Sequence, residues 1–409
     1  MKRNHKFIYA LLAAGLLVTG CGQSTQKTEE PDASSPDITE AFIQENIAFS
    51  VKQYEHLSTL VPEDKLPRTF IQEEAKSVSS GTSWWTSGFY PGTLLYLYEM
   101  SGDSSMLQLA EQKLEILEKE KDNKGTHDLG FMLFCSFGNA YRITGNEHYK
   151  EVMLQGAESL ATRFHPETGL IKSWDHGSWK YPVIIDNMMN LEFLFWASDV
   201  SGDDKYRNIN ISHADSTLKN HFRDDFSSYH VVDYDPATGQ VVDKKTHQGK
   251  ADDSAWSRGQ SWGLYGYTVM YRDTKDPAYL AQAENIAAFI LDHPNMPADM
   301  VPYWDYDAPA TDTTYRDASA AALNASALLE LSKYTADKTK AEKYVSAAEK
   351  TLISLSSDKY RAKLGENGGF ILMHSVGSLP HNSEVDVPLT YADYYYIEAL
   401  KRYQEWFLD

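Results

Sequence analysis

The sequence predicts an all-α fold, an (α/α)6 toroid in which six inner and six outer helices alternate along the chain. Three observations lead there. Twelve stretches carry helical periodicity. They sort into two alternating kinds. A short polar turn recurs between them. The stretches near 89–100, 128–143, 187–200, 257–272, 318–334 and 391–407 are apolar or aromatic all round. Those near 40–59, 104–119, 147–163, 204–222, 277–291 and 338–356 are amphipathic. A helix that is apolar on every side belongs inside, and one with a polar face belongs outside. The turns are Ser101-Gly102-Asp103, Thr144-Gly145-Asn146, Ser201-Gly202-Asp203, Thr274-Lys275-Asp276 and Thr335-Ala336-Asp337. Gly or a small residue is expected to close one helix, and Asp or Asn to open the next. An open solenoid is the other arrangement that such a repeat allows.

Taken in order, the chain begins with Lys2, Arg3 and Lys6, followed by an apolar run from Ile8 to Val18. That run is too short for an ordinary membrane span. It ends in Val18-Thr19-Gly20-Cys21, which resembles a bacterial lipoprotein cleavage box. Residues 1–20 are therefore expected to be a signal peptide. Cys21 would be the lipidated first residue, and 21–39 a polar tether from it. The expected location is the cell envelope, facing the periplasm, with membrane contact only through the lipid. An ordinary signal peptide with a chance cysteine is the alternative. Residues 40–409 hold all twelve helical stretches and are expected to form one catalytic domain. Cys135 is the only other cysteine, so no internal disulfide is available. Its apolar neighbours suggest a buried, unreactive thiol.

The net charge of −20 argues against nucleic acid and against a polybasic membrane surface. It leaves room for an anionic ligand held by a local Arg or His. The 26 Tyr and nine Trp suit a carbohydrate surface, and they suit helical packing equally. Long insertions precede the inner helices. Residues 165–185 contain Trp174, Asp175, His176 and Trp179. Residues 226–248 alternate around Asp235-Pro-Ala-Thr-Gly239, a hairpin pattern. Residues 360–390 are rich in Gly and His. On one shared rim these loops would form the mouth of a cleft.

The unusual polar residues fall just before or at the starts of inner helices. They are Trp84 and Trp85, His127-Asp128, Asp186-Asn187, Arg258, Arg316-Asp317, and His381, Glu384 and Asp386. Six helix N-termini on one rim would favour an anionic substrate. The densest stretch runs from Asp252 to Tyr267, where Asp253 or Ser254 can cap a helix that carries Arg258 and Trp262 one turn apart. That pair could clamp a planar anion and stack a sugar, or it could simply pack at a helix start. Asp128, Asp186, Asp253 and Asp317 each stand where an N-cap belongs. Together with several His and Trp, two such carboxylates around one cleft point to acid/base chemistry on a sugar. His127, His176, His230 and His247 show neither i,i+4 metal spacing nor a Cys/His module, so no metal and no cofactor are expected.

Several motifs carry a resemblance. They are Trp85-Thr-Ser-Gly-Phe-Tyr-Pro-Gly-Thr-Leu94, His127-Asp-Leu-Gly-Phe131, Asp186-Asn-Met-Met-Asn190 and Asp252-Asp-Ser-Ala-Trp-Ser-Arg-Gly-Gln-Ser-Trp262. Arg316-Asp317 and Asp393-Tyr-Tyr-Tyr396 join them. In this order they closely resemble the unsaturated glucuronyl hydrolases of glycoside hydrolase family 88, over nearly the whole chain after the tether. The resemblance implies an (α/α)6 barrel that removes a terminal 4,5-unsaturated uronic acid from lyase-generated oligosaccharides of chondroitin, hyaluronan or heparin type. It implies that Asp186 protonates C4 and then helps water add at C5. Asp128 would be the second carboxylate. Arg258 and Gln248 would hold the uronate carboxylate, Trp85 and Trp262 would stack the rings, and His127, Trp174 and His230 would line the substrate. Some members carry a Lys in a Ser-rich segment linked with sulfated sugars. Here Ser375-Val-Gly-Ser378-Leu-Pro-His381-Asn-Ser383 has none, so a preference for sulfated products is not implied. A monomer or weak dimer is expected. Two other readings remain: an unsaturated rhamnogalacturonyl hydrolase of family 105 type, and a non-catalytic glycan-binding lipoprotein.

Overall fold

Three inner helices end where the sequence sets a glycine between two polar residues. The structure is a computed structural model, and it describes residues 37–408. The expected signal peptide, the tether up to residue 36 and Cys21 lie outside the described residues. Within them, α2 (Phe89–Ser101), α4 (Asn139–Thr144) and α6 (Leu191–Ser201) close on Gly102, Gly145 and Gly202, at φ +74°, +66° and +71°. That left-handed conformation is strained for residues with a Cβ. Asp103, Asn146 and Asp203 then cap α3 (Ser104–Leu117), α5 (Glu147–Ala161) and α7 (Asp204–Asn220) through their side chains. Lys275 takes the same left-handed turn, at φ +61°, between α8 (Ser257–Thr274) and α9 (Pro277–Asp292). Asp337 caps α11 (Lys338–Leu355) after α10 (Ala318–Ser332). α1 (Glu40–Leu60) and α12 (Thr390–Tyr403) complete the set.

Every residue of α10 and α12 is buried, whereas α3, α5 and α11 bury one face. This is the division that the apolar patterning implied. Each inner segment touches the next around a ring, and α12 returns to α2. The ring closes, so the open solenoid is not what forms. Small residues allow the closest approach. A Cβ on Gly88 would lie 2.2 Å from Phe131 O, and one on Gly92 would lie 2.3 Å from Cys135 O. α2 therefore packs backbone to backbone on Gly130–Gly138, a π-helical run leading into α4. Cys135 is buried there, and burial pushes its thiol well up, as its apolar neighbours suggested.

Short strands decorate the rim. β1 (Leu66–Ile71) pairs with β2 (Lys76–Ser80), and β3 (Phe164–His165) with β4 (Leu170–Ile171). The expected hairpin forms as β6 (Val231–Tyr234) and β7 (Val241–Lys245). β5 (Pro182–Ile184), from the preceding insertion, adds to it antiparallel, with Ile184 opposite Val231. β8 (Ser375–Ser378) pairs with β9 (Ser383–Val387) before α12.

Candidate active site

Strand register brings the first acidic motif to its histidine. Because Ile184 faces Val231, the residues just beyond them, Ile185 and His230, also meet, and Ile185 N–H donates to His230 O at 3.1 Å. Asp186 follows in a 3-10 turn, Ile185–Asn190, that opens α6. Its Oδ2 lies 3.8 Å from His230 Nε2. Both atoms are buried and have no hydrogen-bond partner within the protein. Asp186 does not cap its helix, contrary to the simplest reading of its position.

The second acidic motif is held to the first by two asparagines. Asn187 Oδ1 meets His127 Nδ1 at 2.6 Å, and Asn190 Oδ1 accepts from Gly130 N–H at 3.0 Å. Asn190 Nδ2 also donates to Asn187 Oδ1 at 3.0 Å. The side chain of Asp128 takes the Thr126 hydroxyl at 2.6 Å and lies 3.4 Å from His127 Nε2. It too is no helix cap. The sequence offered a sign of this network in the Asn187–Asn190 spacing, yet a single motif could not reveal its partner.

Burial governs the electrostatics. It pushes the Asp186 carboxyl up to about 7, while the Arg258 guanidinium pulls the other way and the Asp128 carboxylate adds to the rise. The Trp262 indole N–H also faces Asp186 and lowers it slightly. Burial lowers both His127 and His230. An acid that keeps its proton near neutrality, beside imidazoles that stay neutral, is equipped to deliver that proton to a substrate.

Other residues differ from expectation. Arg258 is only 1% exposed. It pairs with Asp317 at 3.1 Å and donates to Val376 O at 2.5 Å and Gly377 O at 2.7 Å. Its guanidinium sits over the rings of Trp256 and Tyr391. Its first task is to tie α8, α10 and β8 together, although it also reaches the cleft wall. Gln248 donates to that same Gly377 O at 2.9 Å. Trp262 is wholly buried against Phe131 and Tyr395, so it is a floor beneath Asp186 and not a face for a sugar. Neither Asp253 nor Ser254 caps α8, whose N-cap is Trp256 without a side-chain bond. Ser254 donates to Asp305 instead, at 2.7 Å. Asp317 does cap α10, through Ser319 N–H at 3.0 Å.

A cleft of about 300 Å³ opens on this rim. Trp85, Gln248 and Arg258 line it, together with His176, His247 and His381. The starts of α2, α8 and α12 thus share one face, as the alternating helices required. Trp174 lies beside this mouth, stacked on His176 at 5.4 Å and near His247 at 5.3 Å. Reasoning from sequence missed Arg68 on the same wall, stacked on Trp84 and paired with Glu384 at 2.6 Å. Among the described residues no group of three or more His, Cys, Asp or Glu could hold a metal ion.

Comparison with known proteins agrees with this geometry. Residues 63–408 match the Glycosyl Hydrolase Family 88. The chain is 48% identical over 323 residues to an unsaturated glucuronyl hydrolase of Formosa agariphila, covering 78% of this chain and 80% of that protein. It is 32% identical over 393 residues to an unsaturated chondroitin disaccharide hydrolase of Streptococcus pyogenes serotype M1, covering 94% and 96%. Among solved structures, an unsaturated glucuronyl hydrolase specific for heparin superposes with a TM-score of 0.86 at 49% identity, covering 89% of this chain and 97% of that one. With a family match over nearly all of the described residues and relatives alike in sequence and in fold, this chain belongs to glycosyl hydrolase family 88.

Proposed function

We propose that this protein releases the terminal 4,5-unsaturated uronic acid from lyase-generated glycosaminoglycan oligosaccharides by hydrating the C4=C5 double bond. The observation that carries this reading is Asp186: a buried carboxyl raised to about 7, joined through Asn187 and His127 to Asp128, beside an aromatic-lined cleft. The double bond is a vinyl ether. Protonation at C4 by Asp186 leaves positive charge at C5, shared with the ring oxygen. Water adds at C5 and returns a proton to the Asp186 carboxylate. The hemiketal so formed rearranges, and the glycosidic bond breaks.

Heparin-type products are our first choice of substrate. In support, identity is higher to the heparin-specific structure, 49%, than to the chondroitin disaccharide hydrolase, 32%. The test is a panel of unsaturated disaccharides from heparin, chondroitin, hyaluronan and pectin, followed by loss of the ultraviolet absorbance of the double bond. Turnover of pectin products alone would favour the rhamnogalacturonyl alternative. Binding without turnover would leave a glycan-capturing protein. Turnover in ¹⁸O-water checks the mechanism, since label at the anomeric carbon of the released uronate would mean ordinary displacement. We further propose that Cys21 carries a lipid that holds the enzyme on the cell envelope, facing the periplasm. Loss of membrane association in Cys21→Ala is the expected result.

A further inference from the structure

Hydrogen bonds behind the two site histidines determine where each ring carries its proton. For His127, Asn187 decides. Asn187 Nδ2 donates to Ile171 O at 2.7 Å and to Ser173 Oγ at 3.0 Å. A backbone carbonyl can only accept, so this amide cannot be turned round. Its oxygen then faces His127 Nδ1 at 2.6 Å, which requires a hydrogen on Nδ1. A neutral His127 therefore presents a bare Nε2 to Asp128 Oδ1, 3.4 Å away.

His230 is held the other way. The backbone N–H groups of His247 and Gln248 both donate to His230 Nδ1, each at 3.0 Å. Nδ1 is therefore bare, and the neutral ring carries its hydrogen on Nε2. That Nε2 is the atom 3.8 Å from Asp186 Oδ2. Their segment is itself anchored, with Gly249 N–H on Thr246 Oγ1 at 2.7 Å and Gln248 on Gly377 O.

We propose that these opposite tautomers assign the protons of the site: His230 turns its Nε2–H toward Asp186 Oδ2, leaving the transferable proton on Oδ1, while His127 keeps its hydrogen on Nδ1 and turns a bare Nε2 to Asp128. When Asp186 gives its proton to C4, the new carboxylate attracts the His230 N–H that faces it, and closing the 3.8 Å gap makes a charge-assisted hydrogen bond. The charged and titratable groups facing His127 are Asp128, Arg163 and His213, and those facing His230 are Asp186, Arg258, His221, His247 and His381. Asn187 and the His247–Gln248 backbone act as positioning groups. The tautomers follow from hydrogen bonds alone, and only their role in turnover rests on the hydration reading.

Long-range ¹H–¹⁵N spectra of the full chain, labelled with ¹⁵N-histidine, test it. Spectra of His127→Asn and His230→Gln supply the assignments. The expected result is a protonated Nδ1 on His127, and on His230 a protonated Nε2 with a bare Nδ1. A bare Nδ1 on His127, or a protonated Nδ1 on His230, overturns the proposal. Kinetics test the role of the donor. Gln keeps an N–H near the place of Nε2, and Leu does not. His230→Gln should therefore lose at least tenfold less kcat than His230→Leu, and equal losses in kcat would refute the donor role. If no unsaturated disaccharide is turned over, the tautomers are still readable, so the two failures are distinguishable.

Discussion

Replacing Asp186 with Asn should remove activity and, at alkaline pH, make the fold more stable. Burial takes this carboxyl from 3.8 to about 7. At 1.36 kcal/mol per pH unit, ionising it in place costs about 4 kcal/mol more than in water. At pH 6 about nine-tenths of it is protonated, against about 1% for an ordinary Asp, so burial supplies roughly a hundredfold in the acid form. The sign for stability follows. The folded state binds its proton more tightly than the unfolded state, so stability falls as pH rises from about 4 to about 7. Above that the full penalty applies. Asn has the shape without the charge, so Asp186→Asn should melt at most on the order of 3–5 °C above wild type at pH 8, and close to it at pH 4. Its kcat should fall by roughly 10²–10⁴. In wild type, kcat/KM should decline as pH rises through about 7. Thermal melts at the two pH values and initial rates by double-bond absorbance provide the check. An active variant, or a melting difference that does not grow with pH, would refute the reasoning.

Asp128→Asn should also lose on the order of 10²-fold or more in kcat. Combined with Asp186→Asn the losses should not add, because the residues act as one unit, and single-turnover rates of the three variants would show it. Arg258→Ala should do more than raise KM. It leaves Asp317 buried and unpaired, at about 3–5 kcal/mol, so chemical denaturation should show a large loss of stability. Gly202→Ala has open space for its Cβ but a φ of +71°, so it should cost about 1–2 kcal/mol from backbone strain alone. Lys275→Gly, at the equivalent turn, should not destabilise by a comparable amount.

Much of the architecture was legible because its causes are local. The 3.6-residue period separates α10, buried all round, from α11, buried on one face. Ser-Gly-Asp at 101–103 and 201–203 writes a left-handed stop and a side-chain cap into three residues. The acidic and aromatic motifs could be placed at the starts of inner helices for the same reason. What each side chain does there could not be read so. Asp128, Asp186 and Asp317 looked alike as caps, yet only Asp317 is one. Asp186 became an acid because the three-stranded sheet and α8 enclose it, a matter of burial and long-range register. Trp262 looked like a ligand group because an aromatic side chain serves a sugar and a core equally well, and Arg258 both lines the cleft and is tied into the core. Helix period and turn chemistry act between neighbours and are written in the sequence. Desolvation and hydrogen-bond partners depend on separate segments being brought together, as His127 is to Asn187 across 60 residues, and only the closed barrel decides them.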